Sequence, residues 1–309
     1  MNILEILEKQ NDERQIKELK TKEHLTDEEA GLKFYAKELE EVLFHKTKFH
    51  NLKHISYLNH DEYRLYKIPV QTGLKRSGEH TQYETIDGKQ YNKKTKEERT
   101  AESILHSEQT SLHRTKQKIY EYAFANDWTN GLFFTITFNP ELVDSFNYDD
   151  CYKRMYQFLK NVKRQNPDFK YIFVPELHKS GRIHFHGIGT NCDKLELADS
   201  GKTKKGKKIY NINSRTFKYG FTTVSKIEDT QKVSNYITKY ITKELISATK
   251  GKHRYLYSKN LELPDVETAM VHDKELFMKS VEVNPKVSYQ KKYVNEETDQ
   301  EIIYIHVKK

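Results

Sequence analysis

The chain has 309 residues, of which 36% are hydrophobic, 32% charged and 12% aromatic, and its formal net charge is +8. A positive excess of this size favours polyanionic partners such as nucleic acids. The two cysteines, Cys151 and Cys192, are too few for a disulfide framework or a cysteine-based zinc cluster, so they favour a reducing compartment.

Residues 1–47 alternate charged and apolar residues at helical spacing, which predicts amphipathic surface helices. They contain no apolar stretch of signal-peptide length, and no part of the chain approaches the roughly 18 apolar residues of a membrane span. We therefore expect a cytoplasmic protein with no membrane partner. Farther along, residues 63–70 resemble a strand and "TQYETIDGKQYN" resembles a hairpin with an Asp-Gly turn. We interpret residues 1–100 as an N-terminal accessory region.

The next part of the chain alternates helical and strand-like patterns. Helices are predicted at 95–126 and 149–165, and strands at 131–138, 170–177, 182–190 and 217–227, before a last helix at 233–245. In the helix at 149–165, Tyr152 and Tyr156 fall on an apolar stripe and are expected to be core residues. Because a tight turn, "HKSG", joins two of the strands, those strands must be antiparallel. This order predicts an α+β domain over residues 101–265, with a central antiparallel sheet flanked by helices, and a strand-rich extension over 266–309.

The strand at 182–190 contains "HFH", in which His184 and His186 point to the same side because side chains alternate along a strand. If the turn centres near Ser180, Glu176 lies opposite His184 with its carboxylate on that side. Two imidazoles and a carboxylate suit a divalent ion such as Mg²⁺ or Mn²⁺, or Zn²⁺. Among 14 histidines a His-x-His pair also arises by chance, so the motif is weak alone.

The last helix contains "YITKYITK", which repeats a tyrosine and a lysine at a spacing of four residues. On an α-helix, Tyr236, Lys239, Tyr240 and Lys243 share an arc of roughly 100°. Such a face suits phosphate chemistry, although a surface or packing face has the same pattern.

A basic segment precedes that helix. Its lysines and arginine, with Tyr210 and Phe217 among them, suit a flexible loop that contacts backbone phosphates and stacks on unpaired bases. "GKTKKGKK" matches the start of a phosphate-binding loop, but Lys208 stands where the Mg²⁺-binding Ser or Thr belongs, so we do not expect ATP binding. The basic side chains are Lys202, Lys204, Lys205, Lys207, Lys208, Arg215 and Lys218.

Together these motifs resemble the HUH endonuclease superfamily, and within it the rolling-circle replication initiators (Rep proteins) of plasmids and single-stranded DNA phages. "FFTITF" corresponds to the first family motif, "HFH" with the upstream Glu176 to the metal-binding motif, and "YITKYITK" to the catalytic tyrosine motif. The tyrosines follow the histidines, as in the initiators, and their number resembles the two-tyrosine group. The resemblance covers roughly residues 110–265.

The resemblance implies a ferredoxin- or RRM-like sheet and a metal-dependent nuclease that nicks and rejoins single-stranded or extruded origin DNA. A tyrosine would form a 5′-phosphotyrosine and release a 3′-OH for a host polymerase, and a host helicase would act in trans. His184, His186 and Glu176 would hold Mg²⁺ or Mn²⁺, Tyr236 and Tyr240 would be nucleophiles, and Lys239 or Lys243 would neutralise charge. A relaxase, a tyrosine transposase and a noncatalytic origin-binding regulator remain alternatives.

Overall fold

The computed structural model describes residues 49–71, 83–87, 89–93, 95–204, 206–240, 249, 251–295 and 298–309. The helices predicted within residues 1–47 lie outside this range. In chain order the elements are β1 (Phe49–Ser56), β2 (His60–Gln71), β3 (Tyr83–Ile86), β4 (Lys89–Asn92), α1 (Ala101–Ala125), β5 (Leu132–Phe138), α2 (Tyr148–Gln165), β6 (Lys170–Leu177), β7 (Ile183–Thr190), β8 (Leu197–Lys204), β9 (Lys207–Ile212), β10 (Gly220–Lys226), α3 (Thr230–Ile237), a 3₁₀ turn (Thr238–Tyr240), β11 (Leu256–Tyr257), β12 (Asp265–Ala269), α4 (Lys274–Glu282), β13 (Val287–Asn295) and β14 (Gln300–Lys308).

The chain divides into two compact units, one formed by residues 1–79 with 265–309 and the other by residues 80–264. The sequence suggested three successive segments, but the structure joins the beginning and the end of the chain in one sheet. The reason is strand pairing, because β14 runs antiparallel to β2 with Ile303 opposite Leu65.

The first unit is a five-stranded sheet in the order β12-β1-β2-β14-β13. Helix α4 packs on one face, where Phe277 and Val281 join Leu52, Leu65 and Ile305 in a common core. The predicted strand at 63–70 lies within β2, and the two predicted C-terminal strands are β13 and β14, which pair around a polar turn.

The second unit contains a seven-stranded sheet in the order β11-β6-β7-β5-β10-β9-β8, in which every neighbouring pair is antiparallel. The predicted α+β fold with a central antiparallel sheet is therefore confirmed. The separate hairpin β3-β4 is also as predicted, and Asp87 in its turn has a φ of 48°. Asp tolerates this left-handed conformation better than most residues.

Helix α2 covers one face of this sheet. Phe134, Ile136 and Phe138 alternate along β5 and pack with Met155 and Leu159 in a single core. The prediction for Tyr156 was wrong, since its side chain is 55% exposed while Tyr152 is partly buried against the core. The hydrophobic arc of α2 is centred on Cys151, Met155 and Phe158, which turns Tyr156 towards solvent.

Helices α1 and α3 lie against each other on the opposite face, near β6 and β7. Ser234 anchors them because its hydroxyl donates a hydrogen bond to the carbonyl oxygen of Ala123, 2.7 Å away. Asp229 begins α3 by accepting a hydrogen bond from the backbone N–H of Lys232. Among the residues that the structure describes, no helix is both long and apolar enough to cross a membrane.

Two sequence predictions in this unit were wrong. The basic segment is largely a β-hairpin, β8-β9, rather than a flexible loop. The tyrosine helix predicted over residues 233–245 ends as an α-helix at Ile237 and continues as a 3₁₀ turn to Tyr240. Residues 241–245 lie outside the described part of the chain. A 3₁₀ turn advances about 120° per residue instead of 100°, which changes the direction of Tyr240 relative to Tyr236.

Gly187 follows the second histidine and leaves room for a core ring. A Cβ at this position would lie 2.3 Å from Cδ1 of Phe173, which is fully buried. We expect Gly187→Ala to lower the free energy of unfolding by about 1–3 kcal/mol, because the core must shift. Thermal denaturation checks this, and Phe173→Leu added to Gly187→Ala should recover part of the loss. A wild-type melting temperature for Gly187→Ala would contradict the packing described.

Candidate active site

Strands β6 and β7 position the two histidines and the glutamate. Glu176 pairs directly with His184 across the two strands, which is the register that the Ser180 turn predicted. The carboxylate nevertheless contacts the other histidine, with Oε2 of Glu176 lying 2.7 Å from Nε2 of His186. The three side chains thus share one face at the end of two central strands.

Two threonines of β5 orient the imidazoles. Oγ1 of Thr135 is 3.2 Å from Nδ1 of His186, and Oγ1 of Thr137 is 3.3 Å from Nδ1 of His184. Sequence reasoning matched "FFTITF" to a family motif but assigned these hydroxyls no contact. The signal was present, because threonines alternate along β5 as histidines alternate along β7. Hydrogen bonding at Nδ1 leaves Nε2 as the nitrogen available to a ligand.

The donor types suit a divalent cation, since imidazole nitrogen and carboxylate oxygen both bind such ions. Among the described residues, however, no three His, Cys, Asp or Glu side chains converge as a ready-made metal site. Glu176 is occupied by His186, while the His184 ring stacks on His178 with 5.2 Å between centroids. Burial lowers the pKa of both His184 and His186 below its ordinary value, which favours the neutral, metal-binding form.

The structure brings both predicted tyrosines to this histidine pair. The ring of Tyr240 stacks on His186 with 3.8 Å between centroids and 7° between planes. Tyr236 meets Tyr240 edge-on at 5.3 Å. Nζ of Lys239 lies 5.3 Å from the centroid of the Tyr236 ring, and Lys243 is outside the described residues.

The two phenols have different environments. Tyr240 is only 9% exposed, whereas Tyr236 is 44% exposed. Burial raises the pKa of Tyr240 well above its ordinary value, and a hydrogen bond with Tyr236 acts in the same direction. Tyr240 is therefore held as a neutral phenol at physiological pH.

Tyr236 forms part of the wall of an open groove of about 430 Å³. Phe133 lies opposite it, and the groove is also lined by Lys207, Lys226 and Lys232. Phe133 contacts the Tyr236 ring edge-on at 5.5 Å. The accessible tyrosine therefore faces a cleft with several ammonium groups, which is suited to a phosphate-bearing strand.

The other predicted DNA-contacting residues are dispersed. Lys202, Lys204, Lys207 and Lys208 lie on the β8-β9 hairpin, Arg215 and Lys218 lie between β9 and β10, and Lys205 is outside the described residues. The two aromatic residues expected to stack on bases are instead part of the core. Phe217 is 2% exposed, and Tyr210 packs against the same core cluster.

A comparison with protein families supports a Rep-like interpretation of this domain. The family described as replication-associated protein ORF2 matches residues 131–245, which include β5, the histidine pair and both tyrosines. Searches of curated proteins and of solved structures gave no match. The family match supports a replication-initiator-like protein with a DNA partner, and it covers somewhat more than a third of the chain.

Proposed function

We propose that this protein is a replication initiator that nicks and rejoins single-stranded origin DNA through a covalent 5′-phosphotyrosine. The observation that carries the proposal is the stack of Tyr240 on His186, with Tyr236 edge-on beside it at the groove. A random arrangement of surface tyrosines would not bring two phenols to the Glu176–His186 pair. The match of residues 131–245 to replication-associated proteins supports the same class.

In the proposed reaction the Tyr236 hydroxyl attacks a phosphodiester phosphorus. An O–P bond forms to tyrosine, the P–O3′ bond breaks, and the departing 3′ oxygen takes up a proton as the phenol loses one. The phosphotyrosine conserves the bond energy, so the strand is rejoined by a 3′-OH without ATP. The released 3′-OH would also serve a host polymerase as a primer, with strand separation by a host helicase.

His184, His186 and Glu176 would hold a divalent cation, Mg²⁺ or Mn²⁺. When bound, the ion would supply positive charge to the scissile phosphate. The chain itself contributes orientation, since Thr135 and Thr137 fix the two imidazole rings.

Exposure assigns different steps to the two tyrosines. Tyr236 faces the groove and carries Lys239 beside its ring, so it is the first nucleophile in this proposal. Lys239 would stabilise the phenolate as the proton leaves. Tyr240 is buried against His186 and would become a nucleophile only after the first strand is attached and the site rearranges. Two successive attacks would allow replication to end by strand transfer.

The test is covalent capture of a random pool of single-stranded oligonucleotides labelled at the 3′ end. Attack leaves the 3′ fragment on the protein, so the label should move to the protein on a denaturing gel with Mn²⁺ and not with EDTA. An unlabelled protein band with Mn²⁺ would favour the noncatalytic origin-binding regulator. If capture occurs, sequencing the attached fragments separates an origin nick from the transfer-origin or transposon-end nick of a relaxase or transposase.

A further inference from the structure

Phe221 is a large apolar side chain on an interior strand of the second unit's sheet, yet it is 71% exposed. Strand β10 has β5 on one side and β9 on the other, so this position lies within the sheet rather than at its edge. Aromatic side chains at such positions normally lie under a helix or a second sheet. The exposure therefore marks a face suited to a ligand.

Strand pairing places Phe221 on the face of the histidines. It is directly opposite Thr137, whose hydroxyl contacts His184, and opposed residues of antiparallel strands share a face. Two strand spacings separate β10 from β7, which is about 10 Å. Phe221 is thus close to the site of proposed cleavage but contacts neither tyrosine among the ring contacts described.

The same rule sorts the lysines of the β8-β9 hairpin into two groups. Tyr210 is opposite the fully buried Val224, so it is on the core side, and its neighbour Ile209 is on the histidine side. Lys202 is opposite Ile209, and Lys204 is opposite Lys207, which places these three lysines on the histidine side. Lys208 alternates to the core side, where it lies 3.6 Å from Asp199.

The open part of this face has a consistent chemistry. Thr223 lies opposite Thr135 and Ser225 lies opposite Phe133, so small hydroxyls surround the exposed ring. Among the described side chains that pairing places on this face of β5, β8, β9 and β10, none is acidic. An aromatic platform bounded by hydroxyls and by lysines at one end fits an unpaired base and its phosphates, because every base has a π face.

We propose that Phe221 stacks on a base of the single-stranded DNA that crosses this face from the histidine pair to Lys202, Lys204 and Lys207. This inference rests on the proposed function for its substrate, but it concerns binding rather than cleavage. The stacking is independent of base identity, so Phe221 contributes affinity and strand position rather than sequence choice. Lys208, on the other face, has no part in it.

The experiment measures binding without chemistry, using fluorescence anisotropy of a labelled random single-stranded pool in EDTA. We expect Phe221→Ala to weaken binding about ten-fold, a typical effect of losing one base–aromatic stack. Phe221→Trp should retain affinity because it keeps an aromatic face. Phe49→Ala, which removes an exposed phenylalanine from the other unit, is the matched control and should bind as wild type.

Salt titrations provide a second reading. Replacing Lys202, Lys204 and Lys207 by Gln should reduce the slope of log K against log salt, whereas Lys208→Gln should leave the slope unchanged. Phe221→Ala should lower affinity at every salt concentration without changing the slope.

Wild-type affinity of Phe221→Ala would overturn the proposal, as would an equal loss for Phe49→Ala. The result separates from the proposed nicking reaction. If label transfer to protein occurs while Phe221→Ala binds normally, nicking stands and stacking fails. If Phe221→Ala loses binding while no label transfer occurs with Mn²⁺, the stacking site stands and the nicking reaction fails.

Discussion

Replacing both Tyr236 and Tyr240 by Phe should abolish covalent capture of 3′-labelled single-stranded DNA. Phenylalanine keeps the stack on His186 and the edge contact, but it removes both hydroxyls that can form the O–P bond. Non-covalent binding in EDTA should persist, because the groove and the basic hairpin are unchanged. Label transfer is read on a denaturing gel.

A matched control exists in the first unit, where Tyr289 and Tyr293 have the same spacing and are 42% and 47% exposed. Their double replacement by Phe should leave capture at the wild-type level. Of the single variants, Tyr236→Phe should lose the initial adduct, while Tyr240→Phe should retain it. Undiminished capture by the Tyr236/Tyr240 double variant would refute the tyrosine mechanism.

The second large effect is expected at the histidine pair. We expect His186→Ala to reduce the rate of adduct formation about 10²–10³-fold, the typical cost of removing a group that stabilises transition-state charge. The change also leaves Glu176 without its 2.7 Å partner and Tyr240 without its stacking surface. His106→Ala, at an exposed position of α1, is the control and should react as wild type.

Thr135→Val separates orientation of the imidazole from its presence. The valine is close in shape but cannot bond Nδ1 of His186, which the threonine hydroxyl approaches to 3.2 Å. We expect Mn²⁺ titrations of adduct formation to shift about 10–100-fold to higher concentration, as for other residues that orient metal ligands. The maximal rate should change less than the midpoint. An unshifted midpoint would mean that Thr135 does not position the ligand.

The sequence was most informative where strand periodicity governs geometry. Alternation along "HFH" and a short turn were enough to place Glu176 opposite His184, because pairing across a tight hairpin leaves little freedom. The antiparallel arrangement followed from the same turn. The α+β fold was therefore predictable from local patterns over residues 131–227.

Burial was less predictable than register. Tyr236 and Tyr240 look equivalent in "YITKYITK", yet the change from α-helix to 3₁₀ turn and the packing of α3 on the sheet expose one and bury the other. Likewise Phe217 read as a stacking residue because it lies among lysines, although the chain turns it into the core. In the proposed stack its place is taken by Phe221, farther along the same segment.

The β8-β9 hairpin was missed because its sequence lacks the signal of a half-buried strand. "GKTKKGKK" is rich in Lys and Gly, which are depleted in strands, and its side chains are mostly exposed. Pairing with β10 is what orders this segment, through Tyr210 opposite Val224. Long-range partners of this kind are not visible in a local pattern.

Peptide mapping of the protein–DNA adduct tests the central claim most directly. Trypsin cleaves after Lys232, Lys239 and Lys243, so the two tyrosines fall on different peptides, VSNYITK and YITK. After a short reaction with Mn²⁺ and nuclease trimming, we predict a residual nucleotide on VSNYITK, which contains Tyr236. A nucleotide found on neither peptide would contradict the account.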